Sequence, residues 1–190
     1  MDSLVRNYPD VLTPEKCQYF IDKFEAHPEM QEEQNNRDDA TLTQINLLQS
    51  PDTPFKDDAN FLMNVIMESI GSYKKDVLIE PSLQWPVKIG IEPPKINRYL
   101  PDTTDEFPDH VDVLDYKTAR RFLVMFIYLT DNEQGATVIR PHSKYKDYEI
   151  TSPCKKGSIL IFPPFWPWLH AGQKPVNEPK YIIGSYLHYV

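Results

Sequence analysis

The stretch FWPWLHAGQKPVNEPKYIIGSYLHY, Phe165 to Tyr189, carries the fold's clearest signature. It reads as a strand closed by His170 and a final strand opened by Lys180, ten positions later. Side chains alternate along a strand, so Trp166 and Trp168 share a face with His170. In the final strand Lys180, Ile182 and Gly184 share one face, while Tyr181, Ile183 and Leu187 share the other. A lysine aligned with apolar neighbours is costly to bury unless an anion pairs with it. Working outward, FPDHVDV (residues 107–113) sets His110 and Asp112 on one side of another strand, with Cα atoms roughly 7 Å apart. With 16 Asp and five His in the chain, an isolated His-x-Asp arises by chance roughly one time in three. It is the company of His170 and Lys180 that separates this pair from a solvated acidic loop.

Around these segments lies a β-rich second half. After Leu83 short runs follow one another between Pro, Gly, Asp and Asn: VKIGIE, KINRYL, HVDV, RFLVMFIYLT, ATVIR, SILIF and YIIGSYLHYV. Strands spaced like this without intervening helices point to an antiparallel sandwich or barrel. Eighteen prolines suit its turns and edges. The first half reads differently. Thr13, Pro14 and Glu15 form a helix start, followed by Cys17, Phe20, Ile21 and Phe24 at helical spacing. A second helix is expected over about Lys56 to Lys75, with Asp57 and Asp58 at its start and Lys74 and Lys75 at its end, as the helix dipole prefers. Between them, residues 29–60 are rich in Gln, Asn, Asp and Pro. A mobile acidic and polar surface excursion is expected there, with at most a short strand near Leu42 to Leu48.

Composition narrows the function classes. The 190 residues suit one domain, with residues 1–83 as helical support and 84–190 as a β core. The net charge of −8 divides unevenly: residues 1–83 hold 7 basic and 16 acidic side chains, residues 84–190 hold 13 and 12. Nucleic acid and anionic membrane surfaces are therefore poor partners. No apolar run is long enough to cross a membrane and no export signal is evident, so a cytoplasmic protein is expected. Two cysteines, Cys17 and Cys154, make neither a disulfide framework nor a thiolate zinc site. Two histidines and one carboxylate leave open coordination positions, the pattern of non-haem Fe(II) oxygenases rather than of a closed structural zinc site.

Four blocks in order, INRYLPDTTDEFPDHVDV, RRFLVMFIYLTDNEQGATVI, ITSPCKKGSILIF and LHAGQKPVNEPKYIIGSYLHY, make the chain similar to the Fe(II)- and 2-oxoglutarate-dependent dioxygenases, and within them to the prolyl 4-hydroxylase-like branch. The resemblance implies a mainly β fold with N-terminal helices, a double-stranded β-helix (jelly roll) core buttressed by helices. It implies His110, Asp112 and His170 as metal ligands, Lys180 and Tyr128 at the distal carboxylate of 2-oxoglutarate, and Tyr99 near its metal end. It further implies Fe(II), 2-oxoglutarate and O2 as reactants, ascorbate as reductant, and release of succinate and CO2. Three departures affect turns and substrate loops: Asp102 where Gly is usual, Thr130 where Asn is usual, and Gly135-Ala136-Thr137 in place of a Gly-Gly pair. Trp168 is a candidate for lining the substrate space. Of Arg120 and Arg121 one should face solvent and the other the pocket mouth, with Arg120 the candidate. His142 and His188 match no ligand position. A proline in a peptide or protein is the leading substrate reading. The alternatives are a free amino acid or other small metabolite, an inactive β-barrel binding module, and a cupin-like isomerase, which the His-x-Asp spacing disfavours.

Overall fold

The computed structural model describes residues 4–35, 40–78, 80–141 and 148–190. Twelve strands form two sheets. The larger has eight strands. Its order is β1 (Arg6–Tyr8), β10 (Ile159–Phe162), β7 (Arg121–Tyr128), β12 (Lys180–Tyr189), β5 (Lys95–Tyr99), β3 (Thr41–Asn46) and β2 (Glu32–Asn35), with β4 (Ile89–Ile91) also on β12. The smaller has four, in the order β6 (Phe107–His110), β11 (Leu169–Gly172), β8 (Asn132–Arg140) and β9 (Ile150–Cys154). All pairings are antiparallel. This is the jelly roll expected from the sequence.

The central strands β7 and β10 of the large sheet are covered on both faces, which is why they carry few polar positions. Helix α1 (Pro14–Glu25) is capped by Thr13, whose side chain accepts from the Lys16 N–H, and buries Cys17, Phe20 and Phe24. Helix α2 (Lys56–Val77) buries Leu62, Ile66, Ile70 and Tyr73. Both pack on Leu123, Met125, Ile127, Tyr181, Ile183 and Leu187 of the sheet. The opposite face turns Val124, Tyr128, Leu160, Phe162 and Ile182 toward Ile139, Cys154 and Trp168 on the side of the small sheet. The alternation along β12 is thus the one its sequence foretold.

Two expectations need correction. Residues 29–60 are not merely a surface excursion: β2 and β3 form a hairpin that extends the large sheet through β5. Ile45, Leu47 and Phe55 are fully buried. The sparse apolar residues of this region go to the core while β2 stays exposed at the sheet edge, a composition that hides a strand. The large sheet also crosses residue 83, because β1 and β3 belong to the first half and pair with β10 and β5 of the second. Among the described residues no helix is long and apolar enough to cross a membrane.

Candidate active site

His110 ends β6 and lies directly opposite His170 of β11. Asp112 follows just beyond β6, whereas the sequence placed it within the strand. Its backbone N–H donates to the Pro164 carbonyl at 2.8 Å, which ties the loop before His170 to the loop after His110. The result brings one ligand atom from each of His110, Asp112 and His170 within 4.8 Å of one another. His110 Nε2 is 3.2 Å from Asp112 Oδ1, and His170 Nε2 is 3.4 Å from Asp112 Oδ2.

The two histidines are oriented by the same local device. His110 Nδ1 donates to the Pro108 carbonyl at 2.7 Å and His170 Nδ1 to the Trp168 carbonyl at 3.0 Å, each two residues back. Protonation at Nδ1 leaves each Nε2 with a lone pair facing the same point, as second-shell carbonyls do at metal sites. His170 Nε2 and Asp112 Oδ2 are buried and have no hydrogen-bond partner among the described residues. Such orphans are costly unless something binds there. Burial would raise the Asp112 carboxyl, but hydrogen bonds and charge from the two rings in their protonated form, whose protons a metal ion would replace, hold it well below the usual carboxylate range. An ionised carboxylate and two imidazole lone pairs converging on one point fit a divalent metal ion.

The triad opens on a cavity of about 300 Å³ between the sheets. Lys180, from the first position of β12, lines it and is 1% exposed. Its ammonium lies 5.3 Å from the Tyr99 ring centroid and 3.4 Å from the Gln173 carbonyl. Among the described residues no carboxylate lies within ion-pair distance of it, and burial pushes its pKa down to about 8. Two glycines make its space. A Cβ on Gly172 would sit 3.6 Å from Lys180 Nζ and 3.5 Å from Phe107 Cβ, and one on Gly135 would sit 3.1 Å from Lys180 Cδ.

Tyr99 lines the same cavity and is buried. Tyr128 stands one layer back: its hydroxyl donates to Thr137 Oγ1 at 2.8 Å, and Thr137 is the residue in the wall. Burial raises both phenols. Trp166 and Trp168 do not form the wall expected beside His170, because β11 starts only at Leu169 and strand alternation does not extend back to them. Trp166 is exposed, and Trp168 packs edge-on against Phe165 in the second core rather than lining the cavity. Arg120 is exposed, and Arg121 takes the place at the cavity mouth. A register shift between Leu187 and His188 of β12 is the cause: it interrupts alternation on β7, so that Phe122 and Leu123 both pack toward the helices. Arg121 makes two 2.8 Å bonds to Glu92 and lies 3.9 Å over the Tyr186 ring. His188 lies against Gly90, away from the triad, and His142 falls outside the described residues. Glu92, Tyr186, Asn97 and Gly172 are cavity residues that sequence reasoning missed, and Arg121 is the arginine of the expected pair that it did not pick out. Only Gly172 left a signal, as a glycine two positions after a ligand histidine.

Fold and site together define a jelly-roll metalloenzyme architecture with two histidines, one carboxylate and a buried cation in one cavity. A sequence profile of the 2OG-Fe(II) oxygenase superfamily matches residues 94–188, and the chain belongs to that superfamily. Comparison with curated protein sequences gives no match. Among solved structures it is similar to a viral collagen prolyl hydroxylase from Paramecium bursaria Chlorella virus-1, with TM-score 0.67 and 15% identity over 98% of this chain and 97% of that one. A Trichoplax adhaerens prolyl hydroxylase in complex with a hypoxia-inducible-factor peptide fragment gives TM-score 0.73 at 11% identity, over 98% and 84%. The carbocyclase SnoK from nogalamycin biosynthesis gives 0.66 at 13%, over 98% and 79%. At these identities the likeness is one of fold.

Proposed function

We propose that the chain is a 2-oxoglutarate-dependent hydroxylase acting on a proline residue in a peptide or protein. The observation that carries the oxygenase part is a triad with orphaned ligand atoms beside the cavity that also holds a buried lysine, which has no anionic partner among the described residues. His110, Asp112 and His170 would hold Fe(II), and Lys180 would pair with the distal carboxylate of 2-oxoglutarate. When bound, the metal and cosubstrate supply oxidative decarboxylation coupled to C–H hydroxylation, releasing succinate and CO2. The protein's part is placement and dryness. Tyr99, Phe107 and Ile182 close apolar surface around the cosubstrate end, and Thr137, held by Tyr128, offers a hydroxyl there. Low local polarity strengthens the lysine–carboxylate attraction.

The peptide part rests on the charge pairing and the opening of the cavity, not on Trp168, which does not line it. Arg121 and Glu92 satisfy each other, so neither is spare for the ammonium or carboxylate of a free amino acid. The cavity also reaches Gln34 of β2, at the open edge of the sheet, where an extended chain can pass. Prolyl hydroxylases among the structural neighbours point the same way. The test is succinate formation with Fe(II), ascorbate and a panel of proline peptides and free amino acids, followed by mass spectrometry. Added oxygen on a peptidyl proline is expected. Added oxygen only on a free amino acid or other metabolite would move the substrate and leave the site assignment standing.

A further inference from the structure

We infer that the substrate peptide carries a lysine or arginine next to the residue entering the cavity, and that this side chain lies along the row Glu32, Gln44, Asn97. This rests on the peptide reading above. The strand register sets Glu32 opposite Gln44 and Gln44 opposite Asn97. Neighbouring strands are about 4.8 Å apart, so the three polar side chains cross the sheet in one line from its edge into the cavity. Ile182 follows Asn97 on β12 and ends the line.

Every member of the row offers an acceptor oxygen. Gln44 donates its Nε2 to Glu32 Oε2 at 3.3 Å, which turns its own carbonyl oxygen to other uses. Asn97 Oδ1 is buried and has no hydrogen-bond partner among the described residues, and Gln44 and Asn97 both line the cavity. A buried acceptor without a donor is unfavourable until a ligand supplies one. Acceptors in series, ending at a carboxylate, match a cationic side chain, which is all donor: three N–H on lysine, five on arginine. Its methylene stem would run beside Leu42, which with Gln34 forms the adjacent row.

Charges nearby sharpen the choice. Glu33 adds a second exposed carboxylate at the edge strand, and among the described residues no Lys or Arg lies within ion-pair distance of Glu32. Arg121 is already matched by Glu92. Lys95, exposed, also lines the cavity but belongs to the next row, opposite Asn46. The β2 edge is therefore anionic, and a basic side chain laid over the row from that edge gains charged and polar partners together.

The test uses two short fluorescent peptides with one proline-centred core, one flanked by lysine and one by glutamate, titrated against the full chain loaded with Mn(II) and 2-oxoglutarate. Anisotropy is expected to show the lysine peptide binding at least about fivefold tighter, with a preference that shrinks as salt rises. Glu32→Lys should abolish the preference. Asn97→Asp should enlarge it and Asn97→Leu reduce it. Equal affinity for the two peptides, tighter binding of the glutamate peptide, or binding of neither would overturn the inference. Mass spectrometry of the same peptides separates it from the reading beneath it. A lysine preference without any oxygen added refutes peptidyl-proline hydroxylation alone, whereas oxygen added equally to both peptides, bound equally, refutes this inference alone.

Discussion

The two sheets meet the cavity with opposite kinds of group. The four-stranded sheet brings His110 and His170, neutral ligands placed side by side by strand register and oriented by carbonyls two residues away. The eight-stranded sheet brings Lys180, a cation set opposite Tyr99 of β5 by strand register but given its space by Gly135 on β8 and Gly172 on β11, both in the other sheet. The metal end is thus assembled from local contacts, while the anion end depends on how the sheets close on each other. The first should fail through loss of ligands and the second through loss of space or charge.

The largest effect belongs to the ligands. His170→Ala should abolish succinate formation and weaken Mn(II) binding by more than the roughly 10–100-fold that loss of an outer-shell partner costs, measured by calorimetry. Unchanged Mn(II) affinity would break the comparison at its first term. Lys180→Ala should leave Mn(II) binding in place and raise the 2-oxoglutarate requirement by about 30-fold to several thousandfold, since truncating one partner of a buried charge pair costs about 2–5 kcal/mol. Lys180→Arg should be milder without being neutral, because a planar fork does not fit a space shaped for an ammonium.

Less of the anion end than of the metal end was legible in the sequence, for a physical reason. His110, Asp112 and His170 announce themselves because ligand chemistry permits few residue types and the spacing follows from strand geometry. The alternation of β12 likewise displayed Lys180. That one of Arg120 and Arg121 faces solvent and the other the pocket mouth was legible, but which one was not, because the register shift opposite them leaves no local pattern. Trp166 and Trp168 misled because aromatic residues before a strand look like part of it. The β2–β3 hairpin was obscured because an exposed edge strand of Glu, Glu, Gln and Asn has the composition of a loop.

Space is the next lever. Gly172→Val should lower 2-oxoglutarate affinity by crowding Lys180 and Phe107 while sparing Mn(II) affinity. Equal damage to both would mean that the two ends are not separable.

A smaller effect follows from the pKa of Lys180, pushed down to about 8 by burial from 10.5. Between about pH 8 and about pH 10.5 the unfolded chain holds this proton and the folded one has released it, so stability without 2-oxoglutarate should rise with pH across that window. The rise should be at most about 3 kcal/mol and absent in Lys180→Met, as read by denaturant melts. Over the same range 2-oxoglutarate binding should weaken, since only the ammonium attracts it. The smallest effect expected is at Trp166: Trp166→Ala should change stability by less than about 0.5 kcal/mol, because the side chain is 80% exposed.

The most direct measurement is anaerobic calorimetry of 2-oxoglutarate binding to the wild-type chain with and without Mn(II), repeated on Lys180→Ala with Mn(II). If the triad and Lys180 hold the two ends of one cosubstrate, wild-type affinity should drop when the metal is withheld and drop again, independently, when the lysine is removed. Binding of equal strength in all three experiments would contradict the assignment of the cavity.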